Sequence, residues 1–188
     1  SEPSTEKGSW RVSGPPPGGP VLLVNAAVFA EARLCSFIKE LKSGTALRRG
    51  AVVIAAALPA APAWADLPAA LAGTAAAEYD DAVRLLARPW DIFGAAADAI
   101  TADFARLTES LESAPVPAGV MVVGNRQNVF LEEGANVRPS VVINAEGGPV
   151  FIARGAEVME GCLLRGPLAI GEGAVVKMGA KIYGGTVI

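Results

Sequence analysis

From Leu131 onward an aliphatic residue recurs at every sixth position: Leu131, Val137 and Ile143, then, after a three-residue insertion, Ile152, Val158, Leu164, Ile170, Val176, Ile182 and Ile188. Four residues after most of these stands a small one, among them Ala135, Ala156, Cys162, Ala174, Ala180 and Thr186. A period of six is neither the period of two of a half-buried strand nor the 3.6 of a helix. It is the period of a triangular coil. Each hexad supplies a short flat strand and a corner, three hexads (about 18 residues) close a turn, and turns stack as parallel sheets. The aliphatic residue points into a narrow prism, and the corner beside it must be small. Stacking then predicts three ladders: Leu131, Ile152, Ile170 and Ile188; Val137, Val158 and Val176; Ile143, Leu164 and Ile182. The insertion in Asn144–Pro149 is expected to loop outward at a corner without disturbing them.

Upstream the pattern changes. Val21–Val24 is a short apolar run of the kind found in a buried parallel strand. Ala30, Leu34, Phe37, Ile38 and Leu41 have the spacing of an amphipathic helix, closed by Lys42-Ser43-Gly44. Thr45–Leu47 and Ala51–Ala57 read as two short strands about the turn Arg48-Arg49-Gly50. Together these form a strand–helix–strand piece of an α/β layer. Pro62–Thr74 is low in complexity and is expected to be a linker. A second helix is expected to start near Asp91 as N-cap. It would keep Ile92, Ala96, Ile100, Phe104, Leu107 and Leu111 on one face and end before Pro115 and Pro117. The expected organisation is a flexible Pro/Gly-rich segment at 1–20, an incomplete α/β domain at 21–88, a connecting helix at 89–118, and the β-helix at 125–188.

Composition narrows the chemistry. A net charge of −3 gives no electrostatic reason to expect nucleic acid or an anionic membrane as partner. Cys35 and Cys162 lack metal-ligand spacing, which suits two thiols in a reducing, cytoplasmic compartment. The chain has no histidine, so no imidazole base or His-ligated zinc can come from these residues. Arg48-Arg49-Gly50, the apolar run Ala51–Leu58 and the Ala-x-Ala-like end near Ala63 and Ala65 imitate an export signal. The run is too far from the N-terminus for a cleaved signal and too short to span a bilayer, so a buried strand is the competing reading.

Three stretches carry a family resemblance. Pro20-Val-Leu-Leu-Val-Asn-Ala-Ala-Val28, Arg88-Pro-Trp-Asp-Ile-Phe93, and Glu157-Val-Met-Glu-Gly-Cys-Leu-Leu-Arg-Gly-Pro167 with Gly173-Ala-Val-Val-Lys-Met-Gly-Ala-Lys-Ile-Tyr183 resemble sugar nucleotidyltransferases. These are relatives of the bifunctional N-acetylglucosamine-1-phosphate uridyltransferase and glucosamine-1-phosphate acetyltransferase. The resemblance implies an α/β nucleotidyltransferase-like domain, a connecting helix, and a left-handed hexapeptide β-helix that forms a homotrimer. It further implies a sugar phosphate or nucleotide sugar as ligand, with Mg²⁺ and acyl-CoA as cofactors of the full-length protein. The chain starts without methionine and stops at the first residue of a hexad, and is read as an internal fragment. A non-catalytic hexapeptide scaffold that binds sugar nucleotides, or that serves as a trimerisation module, is the alternative.

No catalytic residue is assigned. In the uridyltransferases the strand matching Val21–Val24 is followed by Gly-Asp, whose carboxylate holds Mg²⁺. Here Ala26 and Ala27 occupy that place, and an alanine offers no oxygen to a hard cation. Asn25 is a candidate substrate contact or a turn cap. Lys177-Met-Gly-Ala stands where the acetyltransferases carry Arg-Pro-Gly-Ala, so the resemblance makes Lys177 a candidate phosphate ligand; otherwise it is a solvated lysine. Arg165, two hexads earlier and on another face, is a third binding candidate or a surface charge.

Overall fold

In the computed structural model, which describes residues 18–188, the run Val21–Val24 is a strand (β1), but not a buried parallel one. It lies at the edge of a four-stranded sheet, antiparallel to its neighbour, and leaves Leu22 and Val24 exposed. Helix α1 spans Ala32–Lys39 and buries Leu34 and Ile38. Strands β2 (Thr45–Arg49) and β3 (Val52–Leu58) form an antiparallel hairpin about Gly50, so the segment that imitates an export signal is a hairpin. Pairing shifts between Leu47 and Arg48, leaving Ile54 as the extra residue of a bulge. The bulge lets Ile54 and Ala55 enter the same core, despite being sequence neighbours. The stretch 1–20 expected to be flexible lies, through residue 17, outside the described residues.

Pro62–Thr74 is not a linker. It contains a 3₁₀ turn, Trp64–Asp66, and a short helix α2, Leu67–Ala72, with Pro68 in its first turn, where a missing N–H costs nothing. Strand β4 (Ala75–Glu78) then runs parallel to β2, giving the order β1-β3-β2-β4. Leu34, Ile38, Leu47, Ile54 and Tyr79 form one core of this unit. Ala46, Ala56 and Leu58 form another, against Ala70 and Leu71 of α2. The unit ends at Ala87.

The second unit, Arg88–Ile188, begins with helix α3, Pro89–Thr108. Asp91 is not its N-cap: Arg88 holds that position, and the Asp91 carboxylate accepts the Arg88 backbone N–H at 2.8 Å. The single long apolar face is also corrected. Ala95 and Ile100 are buried, whereas Ile92, Leu107 and Leu111 are exposed, and Leu111 lies past the helix end. No helix among the described residues is long and apolar enough to cross a membrane.

Beyond α3 the chain is a parallel β-solenoid of about three turns. Its strands are β5 (Met121–Val123), β6 (Val129–Leu131), β7 (Asn136–Val137), β8 (Val142–Asn144), β9 (Val150–Ile152) and β10 (Glu157–Val158). They continue as β11 (Leu163–Arg165), β12 (Leu168–Ile170), β13 (Val175–Val176), β14 (Lys181–Ile182) and β15 (Thr186–Val187). Leu131 pairs with Ile152 and Ile152 with Ile170; Val137 with Val158 and Val158 with Val176; Ile143 with Leu164 and Leu164 with Ile182. These are the expected neighbours. At the last step, Ile188 receives the Gly171 N–H and donates to Ala169, in register with Ile170. Val122, paired with Ile143, adds an earlier rung. The insertion does not simply loop away: Ala145 is fully buried and bonds to Val123, while Gly148 lies against Gly166 and Pro167. Helix α3 packs on β12 and β15. At the other end, the Ala114 N–H bonds to the Leu131 carbonyl and Ser113 Oγ accepts the Leu131 N–H. Arg126 braces this strap by donating to the Val129 and Ala114 carbonyls.

Candidate functional site

Asn25 closes the turn after β1. Its Nδ2 donates to the Val53 carbonyl at 2.9 Å and its Oδ1 accepts the Ala27 N–H at 3.0 Å. Both ends of the amide are thus committed to backbone, as a turn-capping asparagine requires. Ala26 and Ala27 follow with no ligating oxygen on their side chains. The residues at this turn do not fit a Mg²⁺ ion, which takes carboxylate and water oxygens. Among the described residues no group of three or more His, Cys, Asp or Glu side chains could hold a metal.

Lys177 is exposed and follows the inward Val176. Its carbonyl, not its ammonium, is engaged: it accepts from the buried Cys162 thiol at 3.1 Å and from the Ala180 N–H at 3.1 Å. The register of β7, β10 and β13 puts Arg138, Met159 and Lys177 at equivalent positions on successive rungs. Arg138 is tied to Glu157 at 3.2 Å. Arg165 ends β11 on a different sheet, exposed and opposite Asn144. The solenoid therefore does not bring Lys177 and Arg165 onto one face, and Asn25 belongs to the other unit.

The first unit also holds a cleft that no motif announced. The segment after β4 and the start of α1 enclose about 480 Å³ lined by Glu31, Arg33, Tyr79, Asp81, Val83 and Arg84. Arg33 pairs with Asp81 at 2.8 Å across its mouth. Tyr79 is 3% exposed and packs edge-on against Phe37 at 5.3 Å between centroids. Burial pushes the phenol pKa up, and the Asp81 charge pushes it further, against a lowering pull from Arg33. The Arg84 guanidinium lies over the Phe29 ring at 5.5 Å. In sequence the only trace of the cleft is Glu78-Tyr-Asp-Asp81, a polar cluster after an alanine run.

A family model described as sugar nucleotidyl transferase matches residues 12–112, more than half of the chain. The match covers the hairpin, the cleft and α3, and stops short of the solenoid strands. No match was found among curated proteins or among solved structures.

Proposed function

Because the chain belongs to the sugar nucleotidyl transferase family, we propose that it is part of a sugar-nucleotide transferase related to the bifunctional uridyltransferase/acetyltransferases. In this reading the first unit takes a sugar phosphate or nucleotide sugar. The solenoid is a left-handed hexapeptide coil of the acyltransferase type, assembled as a homotrimer, with acyl-CoA held between subunits. The observation that carries the reading is the joining, in one chain, of a family-matched α/β unit to a parallel coil with aliphatic ladders in six-residue phase.

A second reading is favoured by one turn. With Asn25 spent on backbone and alanines at 26 and 27, the first unit would bind a nucleotide sugar without metal-assisted transfer, and the protein would act as a binding scaffold. Full-length protein incubated with nucleoside triphosphates and sugar 1-phosphates, and separately with acyl-CoA and amino-sugar phosphates, tests both. Release of CoA thiol or of pyrophosphate supports the transferase; saturable binding of nucleotide sugar without either product supports the scaffold. Absence of both binding and turnover removes the sugar-nucleotide reading.

A further inference from the structure

Trp90, Phe93, Ala97, Ile100 and Phe104 recur at intervals of three and four residues and so share one stripe of α3. Along that stripe burial falls away toward the N-terminus. Ile100 is 6% exposed, and Ala97 and Phe104 are half-buried, whereas Phe93 is 76% and Trp90 61% exposed. The change comes where the described rungs stop. Ala97 lies against Gly185, beside β15, and the chain after α3 returns to Leu131 of β6 on an early rung. The helix thus travels from the last described rung back toward the first, and the residues before Ala97 overhang. Trp90 is seven positions from Ala97, about 10 Å at 1.5 Å per residue, or roughly two strand spacings of about 4.8 Å.

We infer that Trp90 and Phe93 form a docking surface for two further rungs of the same parallel coil, those that follow β15 in the longer protein. This goes beyond the proposed function and rests on it only for the longer chain. Two observations select this occupant. The overhang is continuous with the packing of α3 on β12 and β15, so the next parallel rungs extend a contact that already exists. In addition, β13, β14 and β15 each have a hydrogen-bonded neighbour on one side only among the described residues, which leaves three edges open to strand addition. A rung added there pairs with those edges and passes beneath Phe93, and the next passes beneath Trp90. The stripe goes no farther, since α3 begins at Pro89 and the Arg88 guanidinium lies over the Trp90 ring at 5.6 Å.

Trp90 reports the contact directly. With Trp10→Phe and Trp64→Phe it is the sole tryptophan of this chain, and its fluorescence can be compared between residues 1–188 and the full-length protein, with any later tryptophan also replaced. Full-length protein should show blue-shifted emission and several-fold weaker quenching by acrylamide, at every protein concentration. Phe93→Ala should lower the thermal midpoint of full-length protein by several degrees, as for truncation of a packed aromatic side chain. It should leave that of residues 1–188 within about a degree, as at an exposed position. Equal quenching of Trp90 in the two proteins would overturn the inference. So would protection already present in residues 1–188, which would mean that the surface is covered within them. Protection that grows with concentration would overturn it too, because a second copy would then be the occupant. Product release or nucleotide-sugar binding with Trp90 exposed keeps the proposed function and removes this interface. A protected Trp90 with neither product nor binding keeps the interface and removes the proposed function.

Discussion

Ser140 holds φ 66° at the corner position that Gly161, one rung on, holds at 71°. The corner recurs at Gly119 and Gly179, so Ser140 is the one residue of the four with a side chain. A left-handed backbone costs a non-glycine residue about 1–2 kcal/mol, while glycine loses about 0.5–1 kcal/mol more in conformational freedom on folding. The first term is larger. Ser140→Gly should therefore raise solenoid stability by roughly 0.5–1 kcal/mol, read as a shift in denaturation midpoint. Gly161→Ala should lower it by a similar amount, because a Cβ there meets nothing within 4 Å and only the backbone cost applies. A destabilised Ser140→Gly variant would show that its hydroxyl contributes more than its backbone costs.

Gly166 sits on the same rung as Gly161 and is glycine for another reason. A Cβ added to Gly166 would lie 2.1 Å from the Gly148 carbonyl oxygen and 2.8 Å from that of Pro149. Nothing flexible can give way, since both atoms are backbone. Gly166→Ala should cost at least the 1–3 kcal/mol of an overpacked core, or about twice the Gly161→Ala effect. Equal losses in thermal unfolding would mean that the insertion corner is soft.

Facing within the coil is tested by one rung. Ile170 is fully buried in the prism, and Glu172 two residues later is exposed. Ile170→Asp places an unpaired carboxylate among aliphatic side chains and should cost several kcal/mol, on the order of 3 or more. Glu172→Ala should change stability by less than about 0.5 kcal/mol. Similar midpoints for the two variants would contradict the pairing of Ile152 with Ile170.

The ladders were legible because the prism leaves one inward position per side and fills it with an aliphatic residue, so a spacing of six survives any change outside. The rung at Val122 was hidden because nine residues, not six, separate it from Leu131. In the first unit the reading failed where alanine dominates. Leu67–Ala72 and Ala75–Glu78 show too little contrast between apolar and polar positions to reveal a helix or a strand. The partner of β1 was equally hidden, since an apolar tetrapeptide reads alike in a parallel core strand and an antiparallel edge. Asn25 was readable as a turn cap from its place at a strand end. The cleft was not: Glu31 and Arg33 meet Tyr79, Asp81 and Arg84 only through the fold, across more than forty positions of chain.

Tyr79 makes stability depend on alkaline pH. Its pKa in the folded chain is raised above the ordinary 10.0, by burial first and by Asp81 second. Between the two values the folded chain keeps a proton that the unfolded chain has released. The stabilisation is fully present below about pH 10 and is lost as pH rises through the folded value. Urea midpoints measured from neutral to alkaline pH should fall more steeply in wild type than in Tyr79→Phe, which has no proton to lose. Phenolate absorbance should show a group titrating late in wild type and missing in the variant. Parallel pH profiles would mean that the phenol ionises as freely folded as unfolded.

Lys177 offers the sharpest test of chemistry on the solenoid. Its ammonium group is exposed while its carbonyl holds Cys162 and Ala180, so Lys177→Ala removes the charge and keeps every hydrogen bond made by the backbone. If the residue meets a phosphate of a sugar phosphate or nucleotide sugar, the contact is charge-assisted. Losing it should weaken binding by about 1.5–3 kcal/mol, roughly ten- to a hundred-fold. Arg138 supplies the control, because it shares the ladder position two rungs away but is already paired with Glu157. Arg138→Ala should leave the affinity within about twofold, the scatter expected for surface substitutions away from a site. Calorimetric titration of full-length wild type and both variants with sugar phosphates and their uridine derivatives separates the cases. A loss confined to Lys177→Ala, with melting unchanged, places the phosphate at that corner. Unchanged affinity returns Lys177 to the solvated surface, and equal losses in both variants point to the net charge of the face instead of one lysine.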